Sequence, residues 1–339
     1  MALKLGLQLG YWQAQPHKNF VELAQEAERL GYDSVWTAEA WGSDALTPLA
    51  WIGAHTSRIR LGTAIVQISA RTPTATAMAA LTLDHLSGGR MILGLGVSGP
   101  QVVEGWYGQP FAKPLARTRE YVSIVRQVLK RDQPVRSDGP HYPLPYRGPG
   151  SEGLGKPLRS ITHPLRADVP IFLGAEGPKN VALAAEIADG WLPLYYSPFR
   201  PEVYADSLTQ AKPGFEVAVG ITVNVTDDVA AGLAPVKAML GFYIGGMGAK
   251  TKNFHKELMS RMGYEAEAEK IQELFFQGDR GGAIAAVPDA FADEISLVGP
   301  PERIRERLSA FEGTPVTTLL VFGQDPAKLR QVAELVLNR

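Results

Sequence analysis

Met91-Ile-Leu-Gly-Leu-Gly-Val-Ser-Gly-Pro100 decides between two folds. Its apolar start reads as a buried strand, and Gly94, Gly96 and Gly99 reproduce the Gly-x-Gly-x-x-Gly spacing of a dinucleotide-binding turn. Such a turn opens directly into a helix, and an acidic residue closes the next strand about 20 residues further on. Here Pro100, Gly105, Gly108 and Pro110 follow instead, and Glu120 falls within a helical pattern. The better reading is a parallel strand whose glycine-rich end lets backbone come close to something flat.

The rest of the chain agrees when read outward from this strand. Upstream, Ser87-Gly-Gly-Arg90 is a tight turn, with Arg90 placed at the stability face, and Thr74 to Leu86 has helical spacing. Before them come a strand at Arg60 to Gln67, a helix at Ala45 to His55 and a strand at Ser34 to Thr37. The first strand, Leu3 to Leu9, is followed by Phe20, Val21, Leu23, Ala24, Ala27 and Leu30 at helical spacing, stopped by Gly31 as a C-terminal cap. Downstream lie a helix with Tyr121, Val122, Ile124, Val125, Val128 and Leu129 on one face, a strand at Pro170 to Leu173 and a helix at Pro178 to Ala188. Strands at Gly190 to Leu194, Phe215 to Val225 and Val316 to Phe322 precede a last helix at Pro326 to Leu337. Eight strand–helix units of about 42 residues each predict an α/β protein, a (β/α)8 TIM barrel, with chemistry at the C-terminal ends of its strands. Two excursions interrupt it. Residues 133–169 crowd glycine and proline without any period, too long for an ordinary loop, and residues 239–291 are mainly helical. The expectation is one domain over residues 1–339.

Composition excludes several classes. Of the 339 residues, 45% are hydrophobic and 20% charged, which is ordinary globular usage and leaves no place for a disordered or fibrous chain. The net charge is −1 with no long basic stretch, so nucleic acid is not the expected partner. There is no cysteine, hence no disulfide or thiol nucleophile, and the opening residues lack a signal peptide's pattern; a cytoplasmic protein is expected. Val229 to Ala249 holds one charge, Lys237, but also Pro235 and five glycines, so it predicts a buried helix ending in a glycine turn and no membrane span. The six histidines form neither His-x-His nor His-Glu-x-x-His, so no metal site is expected, and no Gly-x-Ser-x-Gly elbow is present.

Candidate site residues gather at predicted strand ends. Leu173-Gly-Ala-Glu-Gly-Pro-Lys-Asn180 ends a strand in a glycine-flanked turn with Pro178 at a helix's first position. Unpaired amides and the helix dipole, worth about 0.3–1 kcal/mol, would favour a phosphate there. Glu176 counts against this unless its side chain turns away, and a plain capped connection is the alternative. Glu39, Trp41 and Asp44 end the second strand. Glu39 would act as acid or base, or hydrogen-bond a cofactor ring, whereas Asp44 suits capping the next helix. Tyr11, Trp12, Trp41, Trp106, Tyr107, Trp191, Tyr195 and Tyr196 line candidate loops, and such a mouth suits a planar ring.

Asp33-Ser-Val-Trp-Thr-Ala-Glu39, Leu61-Gly-Thr-Ala-Ile65, Leu83-Asp-His-Leu-Ser-Gly-Gly-Arg90 with Leu93-Gly-Leu-Gly96, and Asp189-Gly-Trp191 resemble the luciferase-like flavin and deazaflavin oxidoreductases, in order over nearly the whole chain. Ala70-Arg-Thr-Pro73, the stretch from Gly96 to Gly108 and Gly174-Ala-Glu-Gly-Pro178 are most similar to the actinobacterial, methylenetetrahydromethanopterin reductase-like branch that depends on coenzyme F420. The resemblance implies a non-prolyl cis peptide at Ala64–Ile65 backing the deazaflavin. It also implies Glu39 at the ring's polar edge, Gln67 and the Gly96, Val97 and Ser98 backbone bordering it, and the amides of Gly174, Ala175, Glu176 and Gly177 on the phosphate. Trp41, Trp106 and Tyr107 would shape the substrate pocket. The first excursion, with Arg136, Arg147, Lys156, Arg159 and Arg166, would offer a basic rim to the coenzyme's acidic tail. The sugar-phosphate dehydrogenases of this family carry a histidine where this chain has Ala40, and a carboxylate where it has Gly99-Pro100; hexose-phosphate oxidation is therefore not expected. The implied function is hydride transfer between coenzyme F420 and an organic small molecule, in a homodimer such as many relatives form. The alternatives are an FMN-dependent luciferase-like monooxygenase and a catalytically silent flavin-binding protein.

Overall fold

The computed structural model describes residues 2–248, 250–251, 253–323 and 325–337. Its strands are β1 (Lys4–Gly10), β2 (Ser34–Thr37), β3 (Arg60–Thr63), β4 (Val66–Gln67), β5 (Met91–Gly96), β6 (Ile171–Gly174), β7 (Gly190–Leu192), β8 (Glu216–Val225), β9 (Ser296–Gly299) and β10 (Thr318–Phe322). All pair in parallel. The order β10-β1-β2-β3-β5-β6-β7-β8, closed by β8 on β10, is an eight-stranded barrel with helices outside.

Two cores follow from the alternation of side chains along the strands. Trp36, Ile92, Phe172, Leu192, Ala218 and Leu320 fill the barrel itself, while residues such as Leu5, Leu7, Leu61, Leu93 and Leu319 face outward under the helices. Trp36 occupies so much of the interior that a Cβ on Gly62 would lie 2.2 Å from its ring. The floor is polar. Arg60 reaches across to Glu216 at 2.8 Å and also binds Asp33, and Lys4 meets Glu216 at 3.1 Å. Arg90 donates to the carbonyls of Gly53, Thr56 and Ile59, at the stability face where the sequence places it.

Four departures from the sequence reading have physical causes. The expected strand at Arg60 to Gln67 is two, because β3 pairs with the start of β5 and β4 with its end while Ala64 and Ile65 between them, joined by a cis peptide, pair with neither. Pro100–Gly105 forms a six-residue helix where only a loop is expected, with Pro100 at its first position. The second excursion is wider than residues 239–291: its opening helix starts at Val229, and β9 closes it by pairing with the far half of β8, from Thr222 to Val225. The glycines of Val229–Gly246 lie inside that helix and do not end it. Gly245 and Gly246 admit the Phe275 ring, and Gly241 admits Ile284. This is the one helix among the described residues long and apolar enough to cross a membrane, and one face of it packs inside the fold.

Candidate active site

The glycines of the opening stretch turn out to serve the barrel. A Cβ on Gly94 would lie 1.7 Å from the Thr63 carbonyl oxygen, and one on Gly96 would lie 2.8 Å from the Ile65 side chain. The flat object that approaches them is therefore the Thr63–Ile65 segment, which lies against the ends of β5 and β6; Gly174 also faces Ile65. Beyond β5 the chain turns at Ser98, in the left-handed region at φ 58°, and enters the short helix.

Glu39, just past β2, is the best-partnered side chain of the mouth. Its Oε1 accepts from the Gln67 amide at 2.8 Å and its Oε2 from the Ala45 amide at 3.3 Å. Arg71 Nη1 donates to both oxygens at 2.9 Å. Four hydrogen bonds hold this carboxylate in one orientation. Gln67 returns a hydrogen bond from Nε2 to the Glu39 carbonyl, and its Oε1 is enclosed without a partner. Asp44 accepts from the amides of Leu46 and Thr47, so it caps the second helix as expected, and it lies 3.9 Å from Arg71.

Glu39, Asp44 and Arg71 wall a cavity of about 200 Å³ together with Ala40, Gly42, Ser43, Ala70, Trp106 and Tyr107; Gln67 lies behind them and does not line it. Burial and the Glu39 charge push the Tyr107 hydroxyl above its ordinary pKa. Trp41 is half exposed and is not among the residues lining the cavity. A second hollow of about 360 Å³ continues outward past Gly42, Ser43 and Asp44 to Trp12, Gln13 and Pro16. Of the other aromatics, Trp191, Tyr195 and Tyr196 are buried, with the Trp191 indole donating to the Ala175 carbonyl at 2.8 Å.

Across the mouth, the turn after β6 leads into the helix Pro178–Ile187, whose start has no side-chain cap. Arg261, from the helix Phe254–Arg261 of the second excursion, donates to the Glu176 carbonyl at 2.9 Å, and its Nε is enclosed without a partner. Glu176 does turn away from solvent: its Oε1 accepts from the Leu194 amide at 3.0 Å, and its Oε2 is enclosed and unpartnered. Burial pushes this carboxyl up to about 8, against the pull of the Leu194 amide and Arg261. Tyr195, Tyr243 and His255 meet edge to face beside it, at 5.1 to 6.2 Å between ring centres. Burial holds the imidazole down to about 4, so it is neutral at neutral pH.

The structure thus brings Glu39, Gln67, Trp106 and Tyr107 together and sets Gly174 to Gly177 on the opposite side. Sequence reasoning missed Arg71, Arg261 and His255. Only Arg71 left a signal, as the cation between a strand and the Thr72-Pro73 helix start, near a carboxylate needing a partner. The basic rim is thinner than the sequence implies. Arg166 is committed to Asp84 and the Met91 carbonyl, Arg147 folds back on the carbonyls of Gly153 and Gly155, and Asp168 stands in the same segment. No cluster of metal-ligating side chains occurs among the described residues.

Residues 4–318 match the luciferase-like monooxygenase family. A Mycobacterium tuberculosis protein named as a putative coenzyme F420-dependent oxidoreductase is 56% identical over 98% of this chain and 99% of its own length. The 5,10-methylenetetrahydromethanopterin reductase of Archaeoglobus fulgidus is 27% identical over 92% of each chain. Among solved structures, the coenzyme F420-dependent tetrahydromethanopterin reductase of Methanopyrus kandleri superposes with a TM-score of 0.79 at 23% identity, over 100% of this chain and 99% of that one.

Proposed function

This chain belongs to the luciferase-like monooxygenase family, and we propose that it transfers a hydride between coenzyme F420 and an organic small molecule. The observation that carries the reading is the uncapped start of Pro178–Ile187, with the unpartnered Nε of Arg261 beside it at the mouth of the barrel. Pro178 has no N–H and the Asn180 and Val181 amides bond the Gly177 carbonyl, so the amides of the turn and of Lys179, the helix dipole and a guanidinium together offer a site for a phosphate-bearing cofactor. The 56% identity with a protein named for coenzyme F420 selects the deazaflavin over FMN.

The residues present fit such a coenzyme. The amides of Gly174 to Gly177 and Arg261 would hold its phosphate, and Ala64 and Ile65 would back its ring. The orphaned Oε1 of Gln67 and the Gly96 to Ser98 backbone would meet its edge. Once bound, a deazaflavin supplies a ring carbon that exchanges a hydride, and the protein positions and shields it. Arg71 holds Glu39 in one orientation, and Glu39 fixes the Gln67 amide and the start of the second helix, so the wall facing the ring is rigid. Trp106 and Tyr107 give the substrate an apolar and hydrogen-bonding side. The net anionic set of Glu39, Asp44 and Arg71 disfavours a phosphorylated substrate, in keeping with Ala40 at the histidine position.

The whole chain is read as a single domain and as a cytoplasmic homodimer. Exposed Trp51, Met78 and Leu86 on two adjacent helices support the dimer, which sedimentation equilibrium would test. The coenzyme assignment is tested by titrating the purified protein with coenzyme F420 and with FMN and following fluorescence. Saturable binding of the deazaflavin is expected; tight FMN binding with none for the deazaflavin would overturn it.

A further inference from the structure

Glu176 is the residue that argues against an anion at the turn after β6, and its surroundings reverse that argument. One carboxyl oxygen is occupied by the Leu194 amide, and the other is enclosed with nothing to bond to. Arg261 lies alongside yet donates to the Glu176 backbone carbonyl and forms no ion pair with the carboxylate. The groups facing Glu176 from the other elements are the hydroxyls of Tyr195, Tyr204 and Tyr243, with the His255 imidazole packed against two of those rings. All four are uncharged at neutral pH, so Arg261 is the charge beside this carboxyl.

Given a deazaflavin bound as above, we infer that Glu176 serves as a carboxylic acid that donates its proton in a hydrogen bond to the phosphate-bearing end of the coenzyme, so that the turn takes up its anion together with one proton. The chemistry of the donor set requires the acid form. An ionised Glu176 would offer lone pairs and a negative charge to an anion and would draw Arg261 to itself. The neutral form adds a second donor beside the orphaned guanidinium Nε–H and leaves that cation to the ligand. Burial holds the carboxyl near 8, so the acid form predominates at pH 7 and is lost as the pH rises past that value.

The test is coenzyme affinity as a function of pH, read by the coenzyme's own fluorescence, for wild type and Glu176→Gln. In wild type the dissociation constant should rise about tenfold from pH 7 to pH 9, because the binding-competent fraction falls by that factor. Glu176→Gln keeps a donor that does not titrate and should hold its pH 7 affinity to pH 9, apart from any slope arising in the coenzyme. Calorimetry of the unmodified protein at pH 8, in two buffers of different ionisation enthalpy, should show uptake of about half a proton on binding. This arm does not depend on the variant folding. Equal slopes in the two proteins, or binding without proton uptake, would overturn the role of Glu176 while leaving the coenzyme assignment intact. Absence of saturable coenzyme binding to wild type at any pH would overturn both.

Discussion

Replacing Arg71 by methionine should expose how much of the mouth depends on one ion pair. The Glu39 side chain is 2% exposed and that of Arg71 24%. Glu39 holds four short contacts, two from backbone amides and two from Arg71 Nη1. Removing one partner of a buried pair costs about 3–5 kcal/mol because the other charge is left uncompensated. Here the two amides still solvate the carboxylate, and a quarter of Arg71 is open to water that would partly replace it. The expected loss is therefore about 2–3 kcal/mol. Urea denaturation measures it as a lower midpoint at unchanged slope. Glu39→Gln should destabilise as well, since an amide turns one donor toward the amide or guanidinium donors around it. In the double variant the two losses should fall short of additivity by about 1 kcal/mol or more. Arg71→Met within about 0.5 kcal/mol of wild type, or an additive cycle, would show that the pair is a surface contact and refute the rigid wall inferred from it.

Two further outcomes follow from burial and close approach. His255 is held down to about 4 when folded, against about 6.5 in an unfolded chain, so the unfolded state binds the proton first and stability should fall as the pH drops through that window. The loss by pH 4 is about 3 kcal/mol; His255→Phe should flatten the acid limb, and an imidazole NMR titration near 6.5 would contradict the burial argument. Gly94→Ala, whose Cβ would sit 1.7 Å from the Thr63 oxygen, should yield no soluble folded protein, whereas Gly105→Ala, with nothing within 4 Å, should keep the wild-type unfolding midpoint or raise it slightly. A folded Gly94→Ala protein with an unchanged midpoint would mean that β3 and β5 can separate.

The barrel was legible because each of its strands carries its own signal. An apolar run such as Met91 to Leu95 must be buried on both faces, and turns such as Ser87 to Arg90 punctuate the pattern. β9 was not legible. Ser296 to Gly299 is four residues long, and its one partner, the end of β8, lies about seventy residues earlier in sequence. The same distinction separates the site residues. Glu39 and the Gly174 to Gly177 turn stand at strand ends, where position alone suggests a role. Arg261 and His255 lie on an excursion helix, where an isolated arginine or histidine reads as solvated surface until the tertiary fold brings Glu176 and Tyr195 against them.

That division also separates what is common in this mouth from what is particular to it. On the side of β2 to β5, charge is present and only partly balanced within the wall: Arg71 is bound to Glu39 and close to Asp44, which leaves a net negative charge, and every one of those groups sits on a barrel strand end or the loop that follows. On the side of β6 and β7, Glu176, Tyr195, Tyr243 and His255 are mainly uncharged at pH 7 beside Arg261, and Tyr243, His255 and Arg261 all come from the excursion between β8 and β10. A reacting ring laid between the two sides would have a fixed anion–cation pair on one side and, on the other, hydrogen-bonding groups that can exchange protons without a net charge being buried. Substitutions in the excursion should therefore alter which substrate is accepted and at what pH, whereas substitutions around Glu39 should first alter stability and the hold on the ring.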